Sequence, residues 1–364
     1  MMKITVPILA GMTLLLAACA RPATECLVIK PLDLSRADAV EDWTFDNIAR
    51  VRSVFEVDPD HERTLGSYTR LEDYDGETLL AQDGPTGTVM RLDEGGRILS
   101  SFSRRGRGPQ EYLSAFGRYN DQGQIVMRDF QSAKELTFLP DGTFVSRRDS
   151  SALLDIHCFP DGSYAALVYP QHARRGSSMF ALYTPEGELV KEGPEGEVSL
   201  GMILLNSDAF FPSPDGTCYF KRDITDTVFH LFPTRYEAVA YIDKPKEDLK
   251  IEEPQSDGST LIGNRAGRVT DRSLLVLGDK LFYNFRDTDR GETFYTVWDL
   301  RKGTMLYLSQ DKPTVQIGEV RHGIWPDFVR GKDFWVRMSV KTDADILPGY
   351  DLESNSAFIH LTLK

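Results

Sequence analysis

A strand–turn–strand unit returns roughly every 46 residues along this chain, and that period constrains the fold more than any other feature. The first copy is Val89-Met90-Arg91-Leu92, a turn at Asp93–Gly96, then Ile98-Leu99. The second is Leu136-Thr137-Phe138-Leu139, Pro140-Asp141-Gly142, Phe144-Val145. Phe180–Tyr183 with Leu189-Val190, Val228–Leu231 with Ala238–Tyr241, and Phe294–Leu300 with Met305–Leu308 continue the series. Tight turns precede these hairpins at Asn120–Gly123, Pro160-Asp161-Gly162, Pro214-Asp215-Gly216, Gly278-Asp279 and Gly331-Lys332. Asp-Gly turns form because glycine accepts positive φ without a Cβ clash. Each unit is therefore an inner pair followed by an outer pair, which is one four-stranded propeller blade.

Five outer pairs are complete, and the chain ends in a strand, Ala357–Leu363, with nothing after it to pair. Near the start, Ala49–Val57 is a strand without a blade. Joining the two makes a sixth blade and removes the open edges that a linear sheet would present. The expected fold is all-β: a six-bladed β-propeller over residues 43–364, closed by pairing of its N-terminal and C-terminal strands. Residues 243–273 interrupt the period with a polar insertion, and insertions in repeat folds gather on one face, often the binding face.

The first 18 residues are expected to be a signal peptide: Lys3, the apolar run Ile4–Leu16, then small residues before Cys19. Leu16-Ala17-Ala18-Cys19 resembles the lipobox of bacterial lipoproteins, which implies cleavage before Cys19 and acylation of its thiol. Residues 19–42 then form a lipidated cysteine and polar tether, with the membrane as partner. By analogy with Gram-negative lipoproteins, Ala20 and the lack of an acidic run favour the outer membrane, periplasmic side. Losing Lys3 takes the net charge from −13 to −14, and an acidic body argues against nucleic acid. Cys26 lies in the tether; Cys158 and Cys218 fall in strands and read as small core residues, with one disulfide as the alternative.

Gly106-Arg107-Gly108-Pro109-Gln110-Glu111-Tyr112 follows the first outer hairpin. It resembles the Gly-x-Gly-Pro-Gly-Glu-Phe/Tyr loop of six-bladed, TolB-like propeller lipoproteins of Bacteroidetes, departing from it at Gln110. The resemblance implies fold and location; it implies little about activity, which a fold does not settle.

Loops between strands B and C, and between blades, share one face of a propeller. On this top face the sequence places Arg104, Arg105 and Arg107, Arg128, Arg222 and Arg286, with Arg174, Arg175 and Arg290. The opposite turns carry Asp93, Asp141, Asp161, Asp215 and other acids. Arginine's planar fork suits bidentate binding of carboxylate or phosphate. The leading expectation is a binding or scaffolding lipoprotein, without cofactor, that takes an anionic small molecule, glycan, peptide or envelope protein on this face. The competing reading of Arg128-Asp129, Arg222-Asp223 and Arg286-Asp287 is a turn cap and ion pair copied into each blade.

Local catalytic motifs are missing. The histidines at His61, His157, His172, His230, His322 and His360 are scattered, no Gly-x-Ser-x-Gly exists, and Asp343, Asp345 and Asp351 do not follow a calcium-loop pattern. Propeller enzymes assemble sites from distant loops, so the alternative is a glycan- or peptide-acting hydrolase or lyase. It requires a buried channel carboxylate or histidine with a displaced pKa. Trp298, Trp325 and Trp335 read as blade packing, with Trp325 a candidate for the channel wall.

Overall fold

A computed structural model describes residues 26–58, 69–113, 115–120, 122–129, 132, 134–149, 153–168, 180–194, 210–213, 215–221, 226–244, 269–338 and 356–364. Six sheets of antiparallel strands form the six-bladed propeller. Blade 1 is Thr69–Tyr74, Leu79–Asp83, Val89–Leu92 and Ile98–Phe102, its strands A to D. Blade 2 is Ala115–Tyr119, Ile125–Asp129, Lys134–Phe138 and Phe144–Asp149. Blade 3 is Leu153–Cys158, Tyr164–Val168, Ala181–Tyr183 and Leu189–Glu192. Blade 4 is Phe210–Pro212, Cys218–Phe220, Thr227–Leu231 and Tyr236–Ile242. Blade 5 is Val269–Leu277, Lys280–Asp287, Glu292–Asp299 and Thr304–Ser309.

Blade 6 carries the closure. Its strands Phe328–Arg330, Asp333–Arg337 and Ala357–Leu363 come from the C-terminus, and its outermost strand, Ala49–Glu56, from the N-terminal end. The register runs from Ala49 opposite Leu363 to Glu56 opposite Ala357. Phe55 and Phe358, opposite one another, are both buried with ring centroids 5.9 Å apart.

The blades form where alternation and turn chemistry agree. Ile125–Asp129 and Lys134–Phe138 bury every second residue, the period of a pleated strand. The anticipated turns close on left-handed glycines, with φ of +84° at both Gly162 and Gly216. The acids in these turns are caps: Asp161 accepts the Ser163 N–H at 3.0 Å, and Asp141 the Thr143 N–H at 2.8 Å. These hydrogen bonds favour the charged form and hold both carboxyls below their usual range. Neighbouring blades interlock through aromatic pairs, such as Phe102–Phe138 at 5.0 Å and Phe180–Phe220 at 4.7 Å. Trp298, Trp325 and Trp335 are all buried. Trp325 packs on Phe282 and Tyr295, and its Nε1 donates to Ser273 Oγ at 2.8 Å, so it is part of the core against blade 5.

Three features depart from the sequence reading. The segment read as a tether is, from Leu27 on, bound to the body. Leu27–Ile29 pairs in parallel with the outer strand of blade 4, Val40 bridges to Leu308 on blade 5, and Phe45 is fully buried against Phe282 and Phe334. A short hairpin, Thr314–Ile317 with Val320–Gly323, sits between blades 5 and 6. Cys158 is exposed, while Cys218 is buried as expected. Cys158 is the last residue of its strand, where the chain turns out to solvent at Pro160-Asp161-Gly162.

Phe45 stacks on Phe282 at 5.4 Å and holds the N-terminal strap in the cleft between blades 5 and 6. Phe45→Ala should cost about 3–5 kcal/mol of stability in a chemical denaturation experiment. A change below about 1 kcal/mol would show that the strap does not carry that load.

Candidate functional site

Strand B of each blade ends on the top face, and there the structure separates aspartate from arginine. Asp83, Asp129 and Asp287 are buried caps of the loop that follows. Asp83 Oδ2 accepts the Thr86 N–H at 3.0 Å, Asp129 Oδ1 the Ser132 N–H at 3.4 Å, and Asp287 Oδ1 the Asp289 N–H at 3.1 Å. Asp129 Oδ2 also accepts the Leu113 N–H, from the loop before blade 2, at 3.0 Å. These acids are structural, as the turn-cap reading requires. The arginines beside them do not pair with them. Arg128 Nε lies 3.0 Å from Glu135 Oε2, directly across strands B and C, and is committed to that pair. Arg286 is half-buried and has no carboxylate partner among the described residues. Arg290 turns to Glu292, 2.6 Å away, and to the Ser35 carbonyl. Arg174, Arg175, Arg222, Asp223 and Cys19 lie outside the described residues, as does most of the 243–273 insertion.

The Gly106–Tyr112 loop bridges blades 1 and 2, and its glycines have a steric reason. Glu111 folds back beneath the loop and accepts the Gly108 N–H at 2.7 Å. A Cβ on Gly106 would sit 2.1 Å from Glu111 Oε2, and one on Gly108 2.9 Å from it. Backbone hydrogen bonds from Tyr112 N–H to the Arg104 carbonyl and from Gly106 N–H to the Tyr112 carbonyl, each 2.9 Å, lock the ring. Arg104, Arg105 and Arg107 project from it and are exposed.

Arg105 closes one side of a cavity of about 140 Å³ between blades 1 and 2. Arg70, Gln82, Tyr112 and Ala115 form other walls. Arg105 Nη1 donates to the Pro85 carbonyl at 2.8 Å, and Arg70 Nη2 to Gln82 Oε1 at 2.9 Å. The Tyr112 hydroxyl donates to the Gly87 carbonyl at 3.0 Å; burial pushes its pKa up to about 12, so it remains a donor. Two guanidinium groups thus line one small top-face cavity. The sequence reading found Arg105 but missed Arg70, Gln82 and Tyr112. Tyr112 was visible in the glycine-loop motif; Arg70 was hidden in an inner strand.

Behind Arg70 lies a second group that the sequence reading missed, Glu72 and Asp73 on the innermost strand of blade 1. Both are buried. The register of this strand slips between Leu71 and Asp73, so Glu72 is the extra residue of a β-bulge. Glu72 pairs with Arg70 through Oε1 and accepts the Gly117 N–H at 3.2 Å through Oε2. Asp73 accepts Arg330 Nε at 2.7 Å and the Tyr119 N–H at 2.7 Å. Arg330 comes from blade 6, and Gly117 and Tyr119 from blade 2, so the two carboxylates join three inner strands. Burial pushes Glu72 up to about 7, against the pull of Arg70 and Arg118. Asp73 is raised for the same reason, with Arg118 opposing. Among the described residues no group of three His, Cys, Asp or Glu is placed to hold a metal ion.

No family model and no curated protein matches this chain. Solved structures do. A protein of Bacteroides fragilis named as exported superposes with a TM-score of 0.63 over 93% of this chain and 99% of its own, at 12% identity. A member of the DUF4221 family from Bacteroides vulgatus superposes with a TM-score of 0.50 over 87% of this chain and 98% of its own, at 10% identity. At such identities the likeness is one of fold, the six-bladed propeller.

Glu72 gives the site a pH signature. Its folded pKa of about 7 exceeds the ordinary 4.5, so between those values the folded chain holds a proton that the unfolded chain has released. Its contribution to stability is complete at low pH and is lost as pH rises through about 7. Glu72→Gln should remove that part of the decline in Tm with pH; identical profiles for both chains would refute the assignment.

Proposed function

We propose that this propeller is a binding lipoprotein of the cell envelope that takes an anionic group into the cavity between Arg70 and Arg105. The single observation that supports this most directly is the placing of two guanidiniums on the walls of one cavity in a chain of net charge −13. A carboxylate or phosphate entering there meets donors with forked geometry, and the low-dielectric walls strengthen the attraction. Size narrows the choice. About 140 Å³ falls well short of the roughly 300–1,000 Å³ of a drug-sized ligand site. The cavity suits an anionic head group, with the rest of a glycan or peptide lying outside along exposed Arg104 and Arg107. Acylation of Cys19 would hold the protein on the outer membrane, periplasmic side.

A hydrolase or lyase is the second reading, because Glu72 meets its requirement: a buried inner carboxylate pushed up to about 7, behind an arginine that lines the cavity. Against it, both oxygens of Glu72 are already engaged, by Arg70 and by the Gly117 N–H. The same carboxylate therefore has a structural task in joining blades 1 and 2.

The test is titration calorimetry with glucuronate, inorganic phosphate and a short acidic peptide. Arg105 is exposed, so Arg105→Ala should leave folding intact while weakening binding about ten-fold or more, since a charged hydrogen bond is worth about 1.5–3 kcal/mol. It should also flatten the salt dependence. Unchanged affinity and salt slope in Arg105→Ala would sink the binding reading, and turnover of a glycan that is lost in Glu72→Gln would favour the enzyme.

A further inference from the structure

The N-terminal strand fixes which rim of the propeller lies nearest Cys19 along the chain. Leu27–Ile29 runs parallel to the outer strand of blade 4, Leu27 beside Ala240 and Ile29 beside Ile242. That outer strand leaves a bottom turn at Pro233–Arg235 and rises toward the top face. Leu27–Ile29 therefore lies along the blade 4 rim beside the last three residues of that strand, the half nearer the top face. Only residues 20–26 separate Cys19 from Leu27. At about 3.3–3.6 Å per residue, that stretch spans at most about 30 Å. Two opposed four-stranded blades, at about 4.8 Å per strand, already measure close to 40 Å across. An anchor at Cys19 cannot pass round to the far rim.

The rim nearest the anchor is also apolar. Val28 and Tyr241 are direct neighbours in the sheet register, 52% and 39% exposed. On the adjoining rim of blade 3, Leu189 and Val190 are 53% and 39% exposed. Lys191 joins the two rims, its Nζ 4.7 Å from the Tyr236 ring centroid. These four are half of the eight large exposed hydrophobics among the described residues; the other four are spread over blade 1, blade 2 and the hairpin before blade 6. Tyr241 has the amphipathic ring favoured at a lipid interface, and exposed Lys30 and Lys191 suit anionic head groups. Exposed Glu192 and Glu237 offset those charges, so apolar contact is the larger attraction.

We infer that the rim of blades 3 and 4, with Val28, Tyr241, Leu189 and Val190, is a membrane-contact surface on which the propeller rests side-on. This rests on the reading of Cys19 as acylated. The top face then opens sideways to the aqueous space, with Arg70 and Arg105 at blade 1, across the ring from the blade 4 rim. A ligand is then met from solution or from an opposite surface, not extracted from the anchoring bilayer.

The experiment uses the mature chain purified from a Gram-negative host and reconstituted into vesicles of phosphatidylethanolamine with a minority of phosphatidylglycerol. Mass spectrometry and vesicle flotation report the anchor. Tryptophan emission is then compared with and without tail-brominated lipid in Tyr241→Trp, Val145→Trp and Arg107→Trp, with the parent chain and its four buried tryptophans as blank. The expected result is a loss of emission from position 241 and none beyond the blank from positions 145 and 107. An acylated, floating protein with equal quenching at all three positions, or none at 241, overturns the orientation while the anchor stands. A chain without acyl groups that fails to float overturns both.

Discussion

Every other feature of this molecule depends on the pairing of Ala49–Glu56 with Ala357–Leu363. The two strands lie some 300 residues apart in the chain, and closing such a loop costs on the order of 5 kcal/mol in entropy. Phe55, Phe358, Ile359 and Leu361 are buried with the closure. At about 1.5–3 kcal/mol for each such side chain, burial exceeds the loop cost. Once the ring is closed, the inner strands of blades 6, 1 and 2 are brought side by side, and Arg330 can reach Asp73 while Gly117 and Tyr119 reach Glu72 and Asp73. The cavity beside Arg70 exists because those strands are held in that order.

The charge distribution follows from two different causes. The acids of the bottom turns are there because an aspartate caps a glycine turn by accepting backbone N–H groups, as Asp93, Asp141, Asp161 and Asp215 all do. The buried aspartates at the ends of strands B are caps as well. The arginines have no common task. Arg128 is spent on Glu135, Arg290 on Glu292, and Arg70 is shared between Glu72 and Gln82, whereas Arg104 and Arg107 stand in solvent. Counting arginines on a face therefore overstates the site; what distinguishes Arg105 is that a rigid glycine loop holds it at the mouth of a cavity.

Much of the fold was legible because it is written in local chemistry that repeats. The Pro-Asp-Gly turns, the alternating outer strands and the unpaired terminal strand each announce themselves within a few residues, and together they led to six blades and to their closure. The site was legible only in part. Gly106–Tyr112 was found as a motif, since its glycines answer to a contact with Glu111 three to five residues away. Arg70 and Glu72 were not found, because a charged residue in an inner strand reads like any strand residue until the neighbouring blade is in place. Leu27–Ile29 reads as tether for the same kind of reason: three apolar residues carry no periodic signal, and their partner is Ala240–Ile242.

The amino-acid sequence by itself determined the blade count, the turn positions and the place of closure, because period-2 alternation and left-handed glycine turns are interactions between near neighbours. The tertiary structure alone decided that Arg128 is consumed by an ion pair, that Arg70 and Arg105 share a cavity, that Glu72 is buried deeply enough to hold a proton near neutrality, and that the N-terminal segment is strapped across blades 4 and 5. The Arg128 pair needs only the register of one hairpin; each of the other outcomes depends on groups far apart in the chain, whose distance and desolvation are set only when the ring of sheets has closed.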